Sequence, residues 1–309
     1  MKQFTLPRTD LPASNVILGM MRIGELDDAE IRMLVKTALD TGITVFDHAD
    51  IYGGSPHACE ARFGGAVRFS PAEREQVLIQ SKVGIREGYF DFSAEHIVSS
   101  AEASISALGL DHLDLLLLHR PDALVEPDEV AAAFDALHEQ GLVTAFGVSN
   151  HTPGQIELLA RSVRQPLIVN QVQLSITHAP LIAAGVAANM ADDPQSVDRD
   201  NGLLDYCRVE GITLQAWSPF QSGKYPGVFL GDREHYAELN DVLDELAAAY
   251  GVTPTAIALA WITRHPAGIQ VVLGTTSPSR VREAAAGSEL RLTRPEWYRL
   301  FTAAGHRLP

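Results

Sequence analysis

The chain has few cysteines, fewer basic than acidic residues and no long apolar run, and each shortage excludes a class of protein. Its 309 residues include only Cys59 and Cys207, too few for a disulfide framework or a cysteine zinc site. Lys and Arg number 24 against 39 Asp and Glu, a net charge of −15, which argues against nucleic-acid binding. No stretch approaches about 18 consecutive apolar residues, and the N-terminus lacks the apolar core of a signal peptide. We therefore expect a cytoplasmic protein with no nucleic-acid or membrane partner.

Short apolar runs alternate with amphipathic stretches from about Val16 to Ala286. The runs are continuously apolar, as in parallel strands that are covered on both faces. Eight runs fit strands, namely Val16–Gly19, Ile43–Phe46, Val77–Ser81, Leu113–Leu118, Val143–Val148, Leu167–Gln171, Ile212–Ala216 and Ile269–Leu273. A helical pattern follows each run, which predicts an α/β fold, a single (β/α)8 or TIM barrel over residues 1–309. A doubly wound sheet is the alternative, but no G-x-G-x-x-G turn follows the first run.

Three segments are longer than ordinary strand-to-helix loops: Ile51–Cys59, Leu174–Asp200 and Phe220–Arg233. Long loops in a compact domain are often functional, and in a barrel these loops all rise from the catalytic face. Residues 1–12 precede the first strand and are expected to plug the opposite end of the barrel. The pattern of Arg294–Gly305 predicts an added C-terminal helix.

Four polar residues stand at or near the ends of apolar runs: Asp47, Tyr52, Lys82 and His119. Because the carboxyl ends of barrel strands meet at one mouth, we expect these side chains to lie together. A tyrosine phenol has a pKa of about 10, and a nearby ammonium such as that of Lys82 eases the release of its proton. Asp47 would hold Lys82 in place, and His119 would orient a substrate oxygen. The four residues predict a site that donates a proton from tyrosine, although Asp47 and Lys82 alone would also fit a structural ion pair.

These residues and the segments around them resemble the aldo-keto reductases. The matching segments, in the order of that family and along nearly the whole chain, are Phe46–Gly53, Lys82, Leu115–Asp122, Gly147–Asn150, Asn170–Gln171, Trp217–Phe220 and Gly274–Arg280. The Asp-His-Ala-Asp-Ile-Tyr-Gly-Gly form is most similar to a group of bacterial reductases. The resemblance implies reduction of aldehydes or ketones to alcohols by NADPH, with Tyr52 as the proton donor and Asp47, Lys82 and His119 completing the catalytic set.

The resemblance also implies that NADPH lies extended across the barrel mouth, without a Rossmann fold. The implied binding residues are Gly19, Met20 and Met21 after the first strand, Ser149, Asn150 and Gln171 at the carboxamide, Trp217 beneath the nicotinamide ring, Ser218, Phe220, Ser222, Gly223 and Lys224 along the pyrophosphate, and Gly274, Thr275, Arg280 and Glu283 at the adenosine end. Arg280 suits a 2′-phosphate because its planar fork binds phosphate well. Gly274 and Ala284 replace the lysine and asparagine of many members, which weakens the expected preference for NADPH. No metal is implied.

Two other functions compete with this interpretation. A metal-dependent barrel hydrolase would use Asp47, His48, Asp50 and His119 as ligands, but Lys82 would repel a cation and the chain contains no His-x-His or His-Glu-x-x-His pair. A non-enzymatic, nucleotide-sensing subunit would not need the complete set of four catalytic residues. The physiological carbonyl substrate stays open, and a monomer is expected because many members of the family are monomers.

Overall fold

Eight parallel strands close into a barrel in the computed structural model, which describes residues 1–308. We number them in chain order: β1 Val16–Gly19, β2 Val45–Asp47, β3 Leu78–Val83, β4 Leu113–Leu118, β5 Val143–Ser149, β6 Leu167–Gln173, β7 Thr213–Trp217 and β8 Gln270–Leu273. Each strand pairs with the next one along the chain, and β8 pairs with β1 to complete the ring. The predicted (β/α)8 barrel is therefore confirmed.

Helices follow the strands and cover the outside of the barrel. Their bounds are Asp28–Asp40, Ala58–Ala66, Pro71–Arg74, Ala94–Leu108, Pro127–Glu139, Pro153–Leu159, Pro180–Val186, Leu203–Glu210, Ala237–Tyr250, Pro254–Thr263, Pro278–Ala285 and Arg294–Ala303, and 3-10 turns span Ile23–Glu25 and Pro194–Ser196. The last helix is the predicted C-terminal addition. Within residues 1–308 no single helix is long and apolar enough to cross a membrane, and the one pair that passes by length and composition together is bent by 94°.

Two strands continue past the polar residue at which the apolar run stops. Strand β3 extends to Val83, so Lys82 lies inside the strand and pairs in register with Leu117 of β4. Strand β6 likewise continues beyond Gln171 to Gln173. The barrel interior is polar at this level, so an inward charged or amide side chain does not end the strand. The apolar runs located these strands correctly but predicted their ends too early.

The barrel interior changes from apolar at its amino-terminal end to polar at its carboxyl-terminal end. The apolar floor consists of the buried side chains of Leu6, Ala13, Ile17, Val45, Leu78, Leu115, Leu117, Ala145, Ile168, Val169 and Val272. Leu6 and Ala13 come from the N-terminal segment, where the strands Gln3–Thr5 and Pro12–Ser14 pair as an antiparallel hairpin. This segment closes the lower end of the barrel, as the sequence predicted.

The segment Leu174–Asp200, predicted as a long loop, contains the helix Pro180–Val186 and is held by the C-terminal tail. The ring of His306 forms a hydrogen bond with the carbonyl oxygen of Ile176 at 2.7 Å. The tail therefore fixes the start of this segment on the side of the barrel. Its helix escaped prediction because seven residues give too short a periodic pattern.

Gly64 allows the helix Ala58–Ala66 to pack closely against the helix Ala94–Leu108. A Cβ at Gly64 would overlap the carbonyl oxygen of Ala107. We expect Gly64→Ala to lower the free energy of unfolding by about 1–3 kcal/mol, the usual cost of overpacking, when it is measured by urea denaturation. The adjacent Gly65 is the control because a Cβ there meets nothing within 4 Å. Gly65→Ala should be neutral or stabilising by up to about 1 kcal/mol. Equal losses for the two variants would show that the helix contact does not require glycine.

Candidate active site

A cavity of about 680 Å³ opens at the carboxyl-terminal ends of the barrel strands. Asp47, Tyr52 and His119 line this mouth cavity, and Lys82 is fully buried against Tyr52. The volume lies within the usual range of small-molecule sites. The fold thus brings together the four residues that the sequence predicted, although the outer two are 72 positions apart in the chain (119 − 47).

The ammonium group of Lys82 joins the carboxylate to the phenol. Its Nζ lies 2.7 Å from the carboxylate of Asp47, 3.1 Å from the hydroxyl of Tyr52 and 2.8 Å from the carbonyl oxygen of His48. An ammonium has three hydrogens, so each of them has an acceptor. The ring of His119 lies edge-on to the ring of Tyr52, with centroids 5.9 Å apart. The phenol therefore sits between the buried cation and the imidazole.

Below these residues, buried amide side chains form a connected set that we call the glutamine ladder. Its members are Gln80, Gln171, Gln215 and Gln270. Gln80 and Gln171 both donate through Nε2 to Oδ1 of Asp47, and both also donate to Oε1 of Gln215 at 3.0 Å. Asp47 therefore receives two amide donors in addition to the ammonium of Lys82.

The ends of the ladder determine the orientation of its amides, because both ends only accept hydrogen bonds. Gln270 donates to the carbonyl oxygen of Ser14 at 2.8 Å, so its own Oε1 accepts from Gln215 at 3.0 Å. At the other end the acceptor is the carboxylate of Asp47. Both amide hydrogens of Gln171 are consequently used, on Asp47 and Gln215. Its oxygen is left to accept a hydrogen bond from a ligand in the cavity.

A second polar group lies at the ends of β5, β6 and β7. Asn150 donates through Nδ2 to Oγ of Ser149 at 2.8 Å and accepts from the indole of Trp217 at 3.0 Å. The hydroxyl of Ser149 in turn donates to the backbone carbonyl of Gln171 at 2.8 Å. Asn150 and Ser218 both have left-handed backbone angles, with φ of 62° and 53°, which non-glycine residues adopt mainly at functional sites and turns. This group contributes an indole ring, an amide and a hydroxyl to the wall of the cavity.

Comparison with known proteins agrees with this arrangement. The model of the aldo/keto reductase family matches residues 15–303. The chain belongs to this family. It is 36% identical to a 6-dehydroglucose reductase of Agrobacterium fabrum, with 95% of each chain covered, and 35% identical to the oxidoreductase YdhF of Escherichia coli, with 96% of this chain and 95% of the relative covered. A crystal structure of a thermostable aldo-keto reductase in complex with the inhibitor epalrestat superposes with a TM-score of 0.77 at 26% identity, covering 98% of this chain and all of that one.

In this aldo/keto reductase, burial raises the pKa of the Tyr52 phenol above its usual value, although the Lys82 ammonium acts in the opposite direction. The predicted effect of Lys82 on the phenol is present, but desolvation of the phenol is larger. Burial also lowers the pKa of Lys82, but the attraction of Asp47 and Tyr52 outweighs it and holds that pKa above its usual range. At neutral pH the phenol is therefore protonated and lies beside a charged ammonium.

His119 is neutral at neutral pH, because burial and the positive charges of Lys82 and Arg120 hold its pKa well below the usual value. A neutral imidazole offers one N–H donor and one bare nitrogen. Within residues 1–308 the buried Nδ1 of His119 has no hydrogen-bond partner. The single N–H of the neutral His119 ring and the phenolic proton of Tyr52 are therefore both available as hydrogen-bond donors.

Most of the predicted cofactor residues line the mouth cavity: Gly19, Met21, Ser149, Asn150, Gln171, Trp217, Ser218, Phe220, Gly274, Thr275 and Arg280. The others lie outside its wall: Met20, Ser222, Gly223, Lys224 and Glu283. Met20 is fully buried in the core, and the hydroxyl of Ser222 lies 2.7 Å from that of Tyr236, where it holds a loop. The ammonium of Lys224 lies over the ring of Tyr225.

Among the residues of the cavity wall that were not predicted, two are charged, Arg22 and Arg120. The position of Arg120 directly after His119 was the available signal. A smaller cavity of about 250 Å³ lies beside the first and shares Arg120, Asn150 and Trp217 with it. Residues of the segment Leu174–Asp200 line this second cavity and not the mouth cavity.

The geometry does not favour the metal-dependent hydrolase. Among residues 1–308 no three His, Cys, Asp or Glu side chains are grouped so that they could hold a metal ion. Asp47 is paired with Lys82, and the ring of His48 packs against Phe63 at 4.7 Å. Burial lowers the pKa of His48 to about 4. These residues therefore act as separate buried groups.

The glutamine ladder generates a prediction about Asp47. Gln215→Met keeps the side-chain size but removes the acceptor shared by Gln80 and Gln171, so both amides lose their orientation toward Asp47. We expect kcat to fall by at least tenfold, with a loss of about 1–3 kcal/mol in the free energy of unfolding because buried amides are left unsatisfied. The measurements are steady-state kinetics with a test aldehyde and urea denaturation.

The control is Gln270→Met, which removes an equally buried amide one step further from Asp47. It should lower stability by a similar amount and leave kcat within about threefold, since interactions weaken with distance from the carboxylate. Equal kcat losses in the two variants would mean that the ladder only stabilises the barrel.

Proposed function

We propose that this aldo/keto reductase reduces aldehydes or ketones to alcohols with NADPH and that Tyr52 donates the proton. The observation that carries the proposal is the 3.1 Å contact between the hydroxyl of Tyr52 and Nζ of Lys82, beside a cavity that His119 also lines. Relatives that are 36% and 34% identical are named 6-dehydroglucose reductases, which supports a reductive reaction on a carbonyl. We further expect a monomer located in the cytoplasm, as the composition and the family resemblance indicate.

Reduction of a carbonyl group requires a hydride at carbon and a proton at oxygen. NADPH, when bound, supplies the hydride. The hydroxyl of Tyr52 gives its proton to the oxygen, and the ammonium of Lys82 stabilises the tyrosinate that remains. Asp47 holds Lys82 in place, and the neutral ring of His119 fixes the oxygen by a hydrogen bond. Donation of the proton, stabilisation of the tyrosinate and orientation of the substrate oxygen are thus carried out by different side chains.

The walls of the mouth cavity fit a dinucleotide that carries a 2′-phosphate. The oxygen of Gln171 accepts from an amide such as the nicotinamide carboxamide, and the ring of Trp217 offers an aromatic face. At the other end, Thr275 and the guanidinium of Arg280 line the cavity near the start of the helix Pro278–Ala285. Helix N-termini and arginine forks both favour phosphate. This chemistry supports NADPH as the cofactor.

Tyr52→Phe tests the proton donor. We expect turnover of a test aldehyde to fall by about 10²–10⁴-fold or more, the usual contribution of general acid catalysis. NADPH binding, followed by fluorescence titration, should be nearly unchanged. Tyr298→Phe, which alters an exposed tyrosine of the C-terminal helix, is the control and should retain full activity. Near-normal turnover of Tyr52→Phe would refute the assignment, and a wild type that binds NADPH but reduces no aldehyde would favour a nucleotide-sensing subunit.

Arg280→Ala tests the cofactor. Hydrogen bonds to a charged group contribute about 1.5–3 kcal/mol, so the Kd for NADPH should rise roughly 10- to 150-fold. The Kd for NADH should change little because NADH has no 2′-phosphate. Arg282→Ala, on the same helix but outside the cavity wall, should change neither value. Equal losses for NADH and NADPH would make Arg280 a structural residue, and a wild type that binds both equally would show that Gly274 has removed the discrimination.

A further inference from the structure

The mouth cavity is positively charged although the chain as a whole carries a net charge of −15. Three arginines line it: Arg22, Arg120 and Arg280. Among residues 1–308 the only acidic one in the wall is Asp47, and the ammonium of Lys82 pairs with it at 2.7 Å. A cleft lined by one sign of charge attracts ligands of the opposite sign. The mouth therefore favours anions, and the cofactor phosphates are one such group.

The arginines are on two different sides of the ring of strands. Arg22 follows β1, and Arg280 lies on the helix after β8, which is the neighbour of β1. Arg120 follows β4, which is four strands away from β8 in the closed ring of eight and so lies opposite to it. A dinucleotide whose adenosine end is held at Arg280 would therefore have that end on the side of the mouth opposite to the Arg120 backbone. Arg120 is instead adjacent in sequence to His119, the residue that faces the reacting oxygen.

No anion of the described part of the chain neutralises the guanidinium of Arg120. Within residues 1–308 it forms no salt bridge within 4.0 Å. Among the described residues that line the smaller cavity, Asp200 is the one acidic residue, and it forms no salt bridge with Arg120. Arg120 lies 5.8 Å from the ring of Trp217, a cation–π distance that positions the guanidinium and leaves its charge in place.

We propose that Arg120 binds an anionic group of the substrate, so that this enzyme prefers carbonyl compounds that carry a carboxylate or a phosphate. The proposal rests on the function proposed above and assigns the substrate class at the same site. The planar fork of arginine matches both anions with paired hydrogen bonds. With the carbonyl oxygen at Tyr52 and His119, the anion of the same molecule would reach Arg120 on the β4 side of the mouth.

The wild-type enzyme tests this preference with matched aldehydes and NADPH. One pair is 4-oxobutanoate and butanal, and the other is glyceraldehyde 3-phosphate and glyceraldehyde. We expect kcat/KM to be about 10- to 150-fold higher for the charged member of at least one pair, in line with hydrogen bonds to a charged group. The pair with the larger ratio identifies carboxylate or phosphate as the natural anion. The ratio should shrink when the ionic strength is raised.

Variants of Arg120 then locate the effect. Arg120→Gln should remove the preference by raising KM for the charged aldehyde about 10- to 150-fold more than KM for its neutral partner. Arg120→Lys should restore part of the preference, because it keeps the charge and loses the fork. Arg161→Gln removes an exposed positive charge outside both cavities and should leave the ratio unchanged.

Three outcomes would overturn the anion preference alone. The first is a wild type that reduces both members of each pair equally well, and the second is an equal loss on charged and neutral aldehydes in Arg120→Gln. The third is a Kd for NADPH that rises in Arg120→Gln as much as KM does, which would assign Arg120 to the cofactor. Turnover of the neutral aldehydes in these cases leaves the proposed reductase function intact. No turnover of any of the four aldehydes would overturn both proposals.

Discussion

The ion pair between Asp47 and Lys82 is the constraint on which the rest of the site depends. Both groups are almost completely buried, and a buried charge is tolerated only when it is paired and its remaining hydrogen-bonding capacity is used. Lys82 satisfies this condition with a carboxylate, a phenol and a backbone carbonyl, and Asp47 satisfies it with the ammonium and two amides. Removing either partner would leave an uncompensated charge in the barrel. Tyr52 contacts this pair through its hydroxyl, 3.1 Å from Nζ of Lys82.

Residues that stabilise the barrel and residues of the candidate site lie at different levels along the barrel axis. The floor is apolar and sealed by the N-terminal segment, the glutamine ladder forms the middle, and the charged and aromatic residues surround the mouth. The number of polar side chains increases toward the carboxyl-terminal end of the barrel, where a bound ligand can complete their hydrogen bonds. Residues with strained backbone angles, Asn150 and Ser218, are also at this end, where a scaffold of eight paired strands holds them.

Much of this architecture could be predicted from the sequence, for identifiable physical reasons. Continuous apolar runs located all eight strands, and the rule that strand ends converge predicted the grouping of Asp47, Tyr52, Lys82 and His119. The glutamine ladder could not be predicted, because isolated glutamines have no motif and meet only through barrel register. The net rise in the pKa of Tyr52 could not be predicted either, because it depends on how deeply the fold buries the tyrosine. Arg120 could not be selected as a site residue, because one sequence does not show which side chains lack a partner.

The fixed orientation of the amides in the glutamine ladder limits the route by which a proton can reach Tyr52. The hydrogen bonds of the ladder diverge from the amide of Gln171 toward both acceptor ends, and amide side chains do not ionise near neutral pH. The ladder therefore cannot relay protons from the sealed floor of the barrel to Tyr52. In the proposed reaction the phenolate would therefore have to be reprotonated through the mouth, which Tyr52 lines. The barrel interior orients the polar groups of the site but does not conduct protons to them.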